Sequence, residues 1–128
     1  MTSIAFKPDV RVTVSYPRTL RAMADLAEQW TAAFPGVPFC VTSWQDGEHC
    51  RASEGRPCPD GRAQSLHYDG LAFDVRTKAV PVMQRGHLQA VMRQFVQTSP
   101  GWQLVLEFPG LSREHLHAEW DPVNPGEE

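Results

Sequence analysis

Residues 65–77 read SLHYDGLAFDVRT, Ser65 to Thr77. The second half, LAFDVR from Leu71 to Arg76, is the short apolar run of a buried strand, bounded by a glycine before it. Two residues disturb that reading: a carboxylate, Asp74, inside the apolar frame, and a histidine, His67, seven positions before it. An isolated carboxylate placed there costs several kcal/mol unless something compensates its charge. Either an arginine such as the neighbouring Arg76 pairs with it, or a bound cation does. Gly70 lies between the two residues and permits a tight approach of His67 to the strand that holds Asp74.

Upstream, Gln45–Gln64 is a long stretch of glycine, proline and charge without periodicity, of a length that is usually functional or disordered inside a compact domain. Before it, FCVTSW, Phe39 to Trp44, reads as a short strand, and PGVP at 35–38 stops a helix expected over Arg18–Phe34. In that helix Leu20, Met23, Ala24, Ala27, Trp30, Thr31 and Phe34 recur at helical spacing on one face. Val10–Ser15 alternates with period two, so residues 1–15 are expected to form an N-terminal arm or strand.

Downstream, Arg85–Gln97 predicts a helix that buries Leu88, Val91, Met92 and Phe95, and Pro100-Gly101 ends it. Trp102–Glu107, WQLVLE, is a strand that stops at an acidic residue. After the loop FPGLSRE, His115–Trp120, HLHAEW, alternates again, which puts His115 and His117 on the same face. Residues 121–128 are a polar tail. The expected fold is α+β: a single domain over residues 1–128, with a small, mainly antiparallel sheet and helices packed on one side.

A chain of 128 residues holds one core. With a net charge of -3 and scattered arginines, nucleic acid is not an expected partner. No apolar run approaches a membrane span, and the first residues lack the basic start and apolar stretch of a signal peptide. Synthesis in the cytoplasm without an export signal is the expectation. The three cysteines form no C-x-x-C pair. Cys50 and Cys58 flank a loop and could close a disulfide in an oxidising setting, free thiols being the plainer reading, and a zinc site built on them would need more of them at closer spacing.

His67, Asp74, His115 and His117 together carry the chemistry. A catalytic zinc takes three nitrogen or oxygen ligands and keeps the fourth position for water, and two histidines with one aspartate meet that count. Each residue alone is ordinary, and H-x-H on a strand is a weak signal. The combination points to a metal.

Ser65, His67, Gly70, Ala72 and Asp74, read as S-x-H-x-x-G-x-A-x-D, resemble the zinc motif of the D-Ala-D-Ala metallopeptidases, whose superfamily includes lysostaphin-type endopeptidases and the hedgehog signalling domain. VTSWQDGEH upstream and VLE…HLHAEWDP downstream are similar to small phage-associated members. The resemblance implies a hedgehog/D-Ala-D-Ala-peptidase-like fold and Zn2+ held by His67, Asp74 and His117. His115 would stand beside the metal to steady an oxyanion or move protons. The general base would be Glu107 or Glu114; alternation along the strand turns residue 114 away from His115 and His117 and so favours Glu107. Ser65 and Asp46 are candidates for orienting ligands, His49 for lining the cleft, and Arg76 for holding a substrate carboxylate through its planar fork. This chain departs from the pattern in inserting CRASEGRPCPDGRAQ between His49 and Ser65 and in a longer FPGLSR segment, which affects specificity more than the ligands.

The expected activity is that of a zinc-dependent peptidase, carboxypeptidase or endopeptidase, acting on bacterial peptidoglycan peptides, either inside the cell or at the wall after release or as part of a phage particle. The alternative is a zinc-binding structural or recognition module without turnover. A metal nuclease is disfavoured by the acidic charge.

Overall fold

A computed structural model describes residues 3–8, 10, 17–44, 51–58, 66–67 and 70–120. The elements are β1 (Ala5–Phe6), α1 (Pro17–Ala33), β2 (Cys40–Ser43), β3 (Ala72–Arg76), α2 (His87–Thr98), β4 (Trp102–Glu107) and β5 (His115–Trp120), with short 3-10 turns at Ala52–Glu54 and Val82–Gln84. The architecture is α+β. The five strands lie in the order β1-β2-β3-β5-β4. β1 runs parallel to β2 and the other pairings are antiparallel, so the sheet is mixed, with its parallel pair at one edge. No helix among the described residues is long and apolar enough to cross a membrane.

Strand alternation divides the sheet into two faces. Phe73 and Val75 of β3, Leu116 and Ala118 of β5, and Trp102 and Leu104 of β4 join one apolar cluster with Met23, Leu26 and Trp30 of α1 and Leu88, Val91 and Phe95 of α2. Both helices therefore cover the same face. The other face carries Asp74 and Arg76, His115, His117 and Glu119, and Val105 and Glu107. The expected single-sided packing and the strands over 102–107 and 115–120 are as the sequence reading had them.

The buried stripe of α1 differs from the expected one. Thr19, Ala22, Met23, Leu26, Ala27, Gln29 and Trp30 are buried, whereas Leu20, Ala24 and Thr31 face outward. Two polar residues are admitted through hydrogen bonds that cross the fold, with Gln29 Oε1 left unpaired among the described residues. Thr19 Oγ1 donates to the Gly70 carbonyl at 2.8 Å, and Gln29 Nε2 donates to Thr98 Oγ1 at 2.7 Å, tying α1 to the end of α2. Of the expected strand at Val10–Ser15 only Val10 is described, and it is buried outside any strand; residues 11–15 and the tail 121–128 lie outside the described residues. The edge strand is instead Ala5–Phe6, two residues that offer no periodicity to read.

Part of the long loop has local order. Arg51 and Arg56 form an isolated bridge around Ala52–Glu54, with Gly55 left-handed at φ 77° and Glu54 paired to Arg51 at 3.3 Å and to Arg56 at 2.6 Å. Cys58 is disulfide-bonded, which overturns the free-thiol reading for that residue, while Cys40 is a free thiol.

Candidate metal centre

The register of β3 against β5 builds most of the site. Asp74 is the direct cross-strand partner of His117, and Arg76 of His115; on the far side of β5, Glu107 of β4 is opposite His115. Side chains at opposed positions of an antiparallel pair meet on one face. His117 Nδ1 accordingly lies 2.9 Å from Asp74 Oδ1, and His115 Nε2 lies 2.8 Å from Glu107 Oε1.

His67 reaches the same point from the turn ahead of β3. The Gly70 N–H donates to the His67 carbonyl at 3.1 Å and the Leu71 N–H to the Leu66 carbonyl at 3.0 Å, with Gly70 at φ 73°, a left-handed conformation that favours glycine. The Gly70 carbonyl is pinned by Thr19 Oγ1 and, at 3.4 Å, by the indole N–H of Trp44. Trp44 acts a second time: its carbonyl accepts from His67 Nδ1 at 2.7 Å. That bond fixes the proton on Nδ1 and turns the Nε2 lone pair inward. His67 Nε2 stands 3.2 Å from Asp74 Oδ1 and 3.3 Å from His117 Nδ1.

Three ligand atoms thus converge, all within 4.8 Å of one another, on residues that are buried or nearly so. Tetrahedral coordination with bonds of about 2.0–2.1 Å needs ligand atoms roughly 3.3–3.4 Å apart, within a few tenths of an ångström of the separations here. The proton inventory also suits a cation. Asp74 is only 6% exposed, and its side-chain partners among the described residues are imidazoles. The Nδ1–H of His67 is committed to Trp44, so Asp74 draws on His117. His117 Nε2 meanwhile faces another acceptor, Glu119 Oε1, at 2.8 Å. Both ring nitrogens must then carry protons: burial pushes the His117 pKa down, but the bonds to Asp74 and Glu119 outweigh it and raise it to about 10. Burial likewise pushes Asp74 up, and the hydrogen bond from His117, with the His67 ring beside it, brings it well below the usual carboxylate range. A divalent ion with a neutral His117 satisfies the same atoms. The three residues could hold a divalent metal ion.

Glu119 is a site residue that the sequence reading passed over. It sits two positions after His117, on the same face of β5, and holds the outward nitrogen of the ring whose other nitrogen faces Asp74. Such a carboxylate fixes the ring orientation of a metal-ligating histidine. The signal was present in the H-x-H-x-E alternation of His115, His117 and Glu119.

His115 stands beside the three. Its Nδ1 donates to the Arg113 carbonyl at 2.8 Å, and its Nε2 faces Glu107, with Asp74 Oδ2 at 3.7 Å. The hydrogen bond to Glu107 raises its pKa against the opposing effect of burial, and the same bond lowers that of Glu107. Glu114 is not brought to this cluster. Its carboxylate accepts from Thr77 Oγ1 at 2.5 Å, from the Gly110 N–H at 2.8 Å and from Arg85 in an ion pair. Arg76 is exposed on the site face and forms no ion pair with a described residue. Ser65, Asp46 and His49 lie outside the described residues. His87, on α2, stacks on Phe34 away from the site face. Compared with protein-family models and with curated protein sequences, the chain matches none.

Proposed function

We propose that the chain is a zinc-dependent peptidase whose ligands are His67, Asp74 and His117 and whose substrates are bacterial cell-wall peptides. The observation that carries the reading is the convergence of the three ligand atoms beside a second, protonatable pair, His115 and Glu107. The cell-wall substrate rests on the resemblance of S-x-H-x-x-G-x-A-x-D and H-L-H-A-E-W to the D-Ala-D-Ala metallopeptidases, and a phage-borne or intracellular setting is compatible with it.

Zinc held by His67, Asp74 and His117 would supply a Lewis acid that lowers the pKa of water to about 7 and polarises a carbonyl. Glu107, whose pKa is lowered by its bond to His115, would accept a proton from the attacking water. His115, its pKa raised by its bond to Glu107, would release its Nε2–H from Glu107 and turn it towards the oxyanion that develops on the scissile carbonyl. Glu107 then returns its proton to the leaving amine. Glu114 takes no part, because its oxygens are already bound to Thr77, Gly110 and Arg85.

One observation favours a second reading, a zinc-binding module without turnover: Glu107 is already engaged by His115 without any substrate. Glu107→Gln separates the two. On peptidoglycan stem peptides, with new amines followed by mass spectrometry, the zinc-loaded protein should cleave and the variant should lose about 10²–10⁴-fold in rate while keeping its zinc. A zinc-loaded wild type that cleaves no such peptide would leave the module as the better reading.

A further inference from the structure

The site face continues beyond the metal ligands. One alternate-residue step from the Asp74–His117 pair is the Arg76–His115 pair, roughly 7 Å further along the strands. There a cleft of about 720 Å³ opens, floored by Thr42, Arg76 and His115 and rimmed by Lys7, Lys78 and Arg113. Four cations surround it in a chain whose net charge is -3. The carboxylate that also borders it, Glu114, is only 8% exposed and is held by Thr77, Gly110 and Arg85, so its charge is already answered.

Arg76 and Lys78 are exposed and have no ion-pair partner among the described residues, and the Arg113 guanidinium lies over the Phe108 ring, 3.9 Å from its centroid. Like charges gathered around a concave surface repel one another and raise the local concentration of anions. Arg76 projects from the rigid floor of the sheet, where its planar fork can bind both oxygens of one carboxylate. Lys78, a compact point charge, and Arg113 then remain for a second anionic group.

We propose that this cleft is a subsite for substrate carboxylates, and that the preferred peptide carries at least two of them on the same side of the scissile bond. The word substrate rests on the peptidase reading; the binding itself does not. The contrast with the metal ligands is one of charge: acceptors converge at Asp74 and donors converge at Arg76, so one peptide can present a carbonyl to the first and its acidic groups to the second.

The test measures binding without turnover. Titration calorimetry on the full chain carrying Glu107→Gln uses an alanine–glutamate–alanine tripeptide with two free carboxylates, and its doubly amidated form. The acidic peptide should bind at least about tenfold more tightly than the amide, with a preference that weakens in salt. Adding Arg76→Gln and Lys78→Gln should abolish the preference, and because both side chains are exposed the unfolding midpoint should stay unchanged. Equal affinity for the two peptides, no measurable binding of the acidic one, or a preference that survives both substitutions would overturn the proposal. A charge-dependent preference in a protein whose wild type cleaves nothing would uphold the subsite and remove only the peptidase reading.

Discussion

Asp74 and Glu114 are both buried carboxylates within the same pair of antiparallel strands or at its end, and they are compensated in opposite ways. Glu114 is surrounded by donors that keep their protons at every physiological pH: a hydroxyl, a backbone N–H and the permanent cation of Arg85. Asp74 is surrounded by imidazoles, one of which already donates its Nδ1–H to a backbone carbonyl. A buried carboxylate facing an arginine is finished as a structural element. One facing imidazole nitrogens is a candidate ligand for a cation. The difference lies in the donors around the two acids, not in their depth, since they are almost equally buried.

The largest effect that would sharpen this contrast is on stability. Glu114→Gln should cost about 2–3 kcal/mol, the loss of a buried pair reduced for the partial exposure of Arg85, and should leave metal content untouched. Denaturant unfolding of the variant beside the wild type checks the first part and elemental analysis the second. If the substitution emptied the metal site while sparing stability, the two acids would have been assigned the wrong way round.

A smaller effect is expected at Glu119. Glu119→Gln keeps the shape of the side chain but weakens its grip on His117 Nε2, and metal affinity should fall about 10–100-fold. Competition with a chromogenic chelator measures it. Unchanged affinity would mean that Glu119 merely caps an exposed ring.

The smallest effect is the acid limb of stability. Burial pushes the Glu114 pKa up, but the bonds from Thr77, Gly110 and Arg85 outweigh it and leave the pKa lowered. A lowered folded-state pKa contributes stability that is complete above the unfolded value, roughly pH 4–5, and is lost as the pH falls through the folded one. Glu114→Gln should therefore flatten part of the decline seen on acidification below that range. An acid limb identical in wild type and variant would show that the carboxylate carries no linkage.

Much of this contrast was legible before the fold was known, and the illegible part has physical causes. Asp74 stood out because a charge inside L-A-F-D-V conflicts with the apolar frame, and His115 and His117 were placed on one face by strand alternation alone. The structure adds the register: Asp74 opposite His117, and Glu107 opposite His115. Neither pairing is written in either strand separately. The alternation argument that set Glu114 apart from the histidines held no information about Thr77 and Arg85, which are distant in sequence. Glu119 was visible in the alternation but needed a ring nitrogen to hold before it meant anything. On α1, helical spacing alone placed Leu20, Ala24 and Thr31 inward, whereas Thr19 and Gln29 take buried positions in which Thr19 Oγ1 bonds the Gly70 carbonyl and Gln29 Nε2 bonds Thr98. The Ala5–Phe6 strand is too short for any period.

The most direct measurement is metal content by elemental analysis of the wild type, Asp74→Ala and Glu114→Gln, prepared in parallel. About one zinc per chain in the wild type and in Glu114→Gln, and none in Asp74→Ala, is the predicted result for a three-ligand site. A wild type that holds no metal after zinc is added back, or an Asp74→Ala protein as fully loaded as the wild type, would contradict the assignment of Asp74 as a ligand.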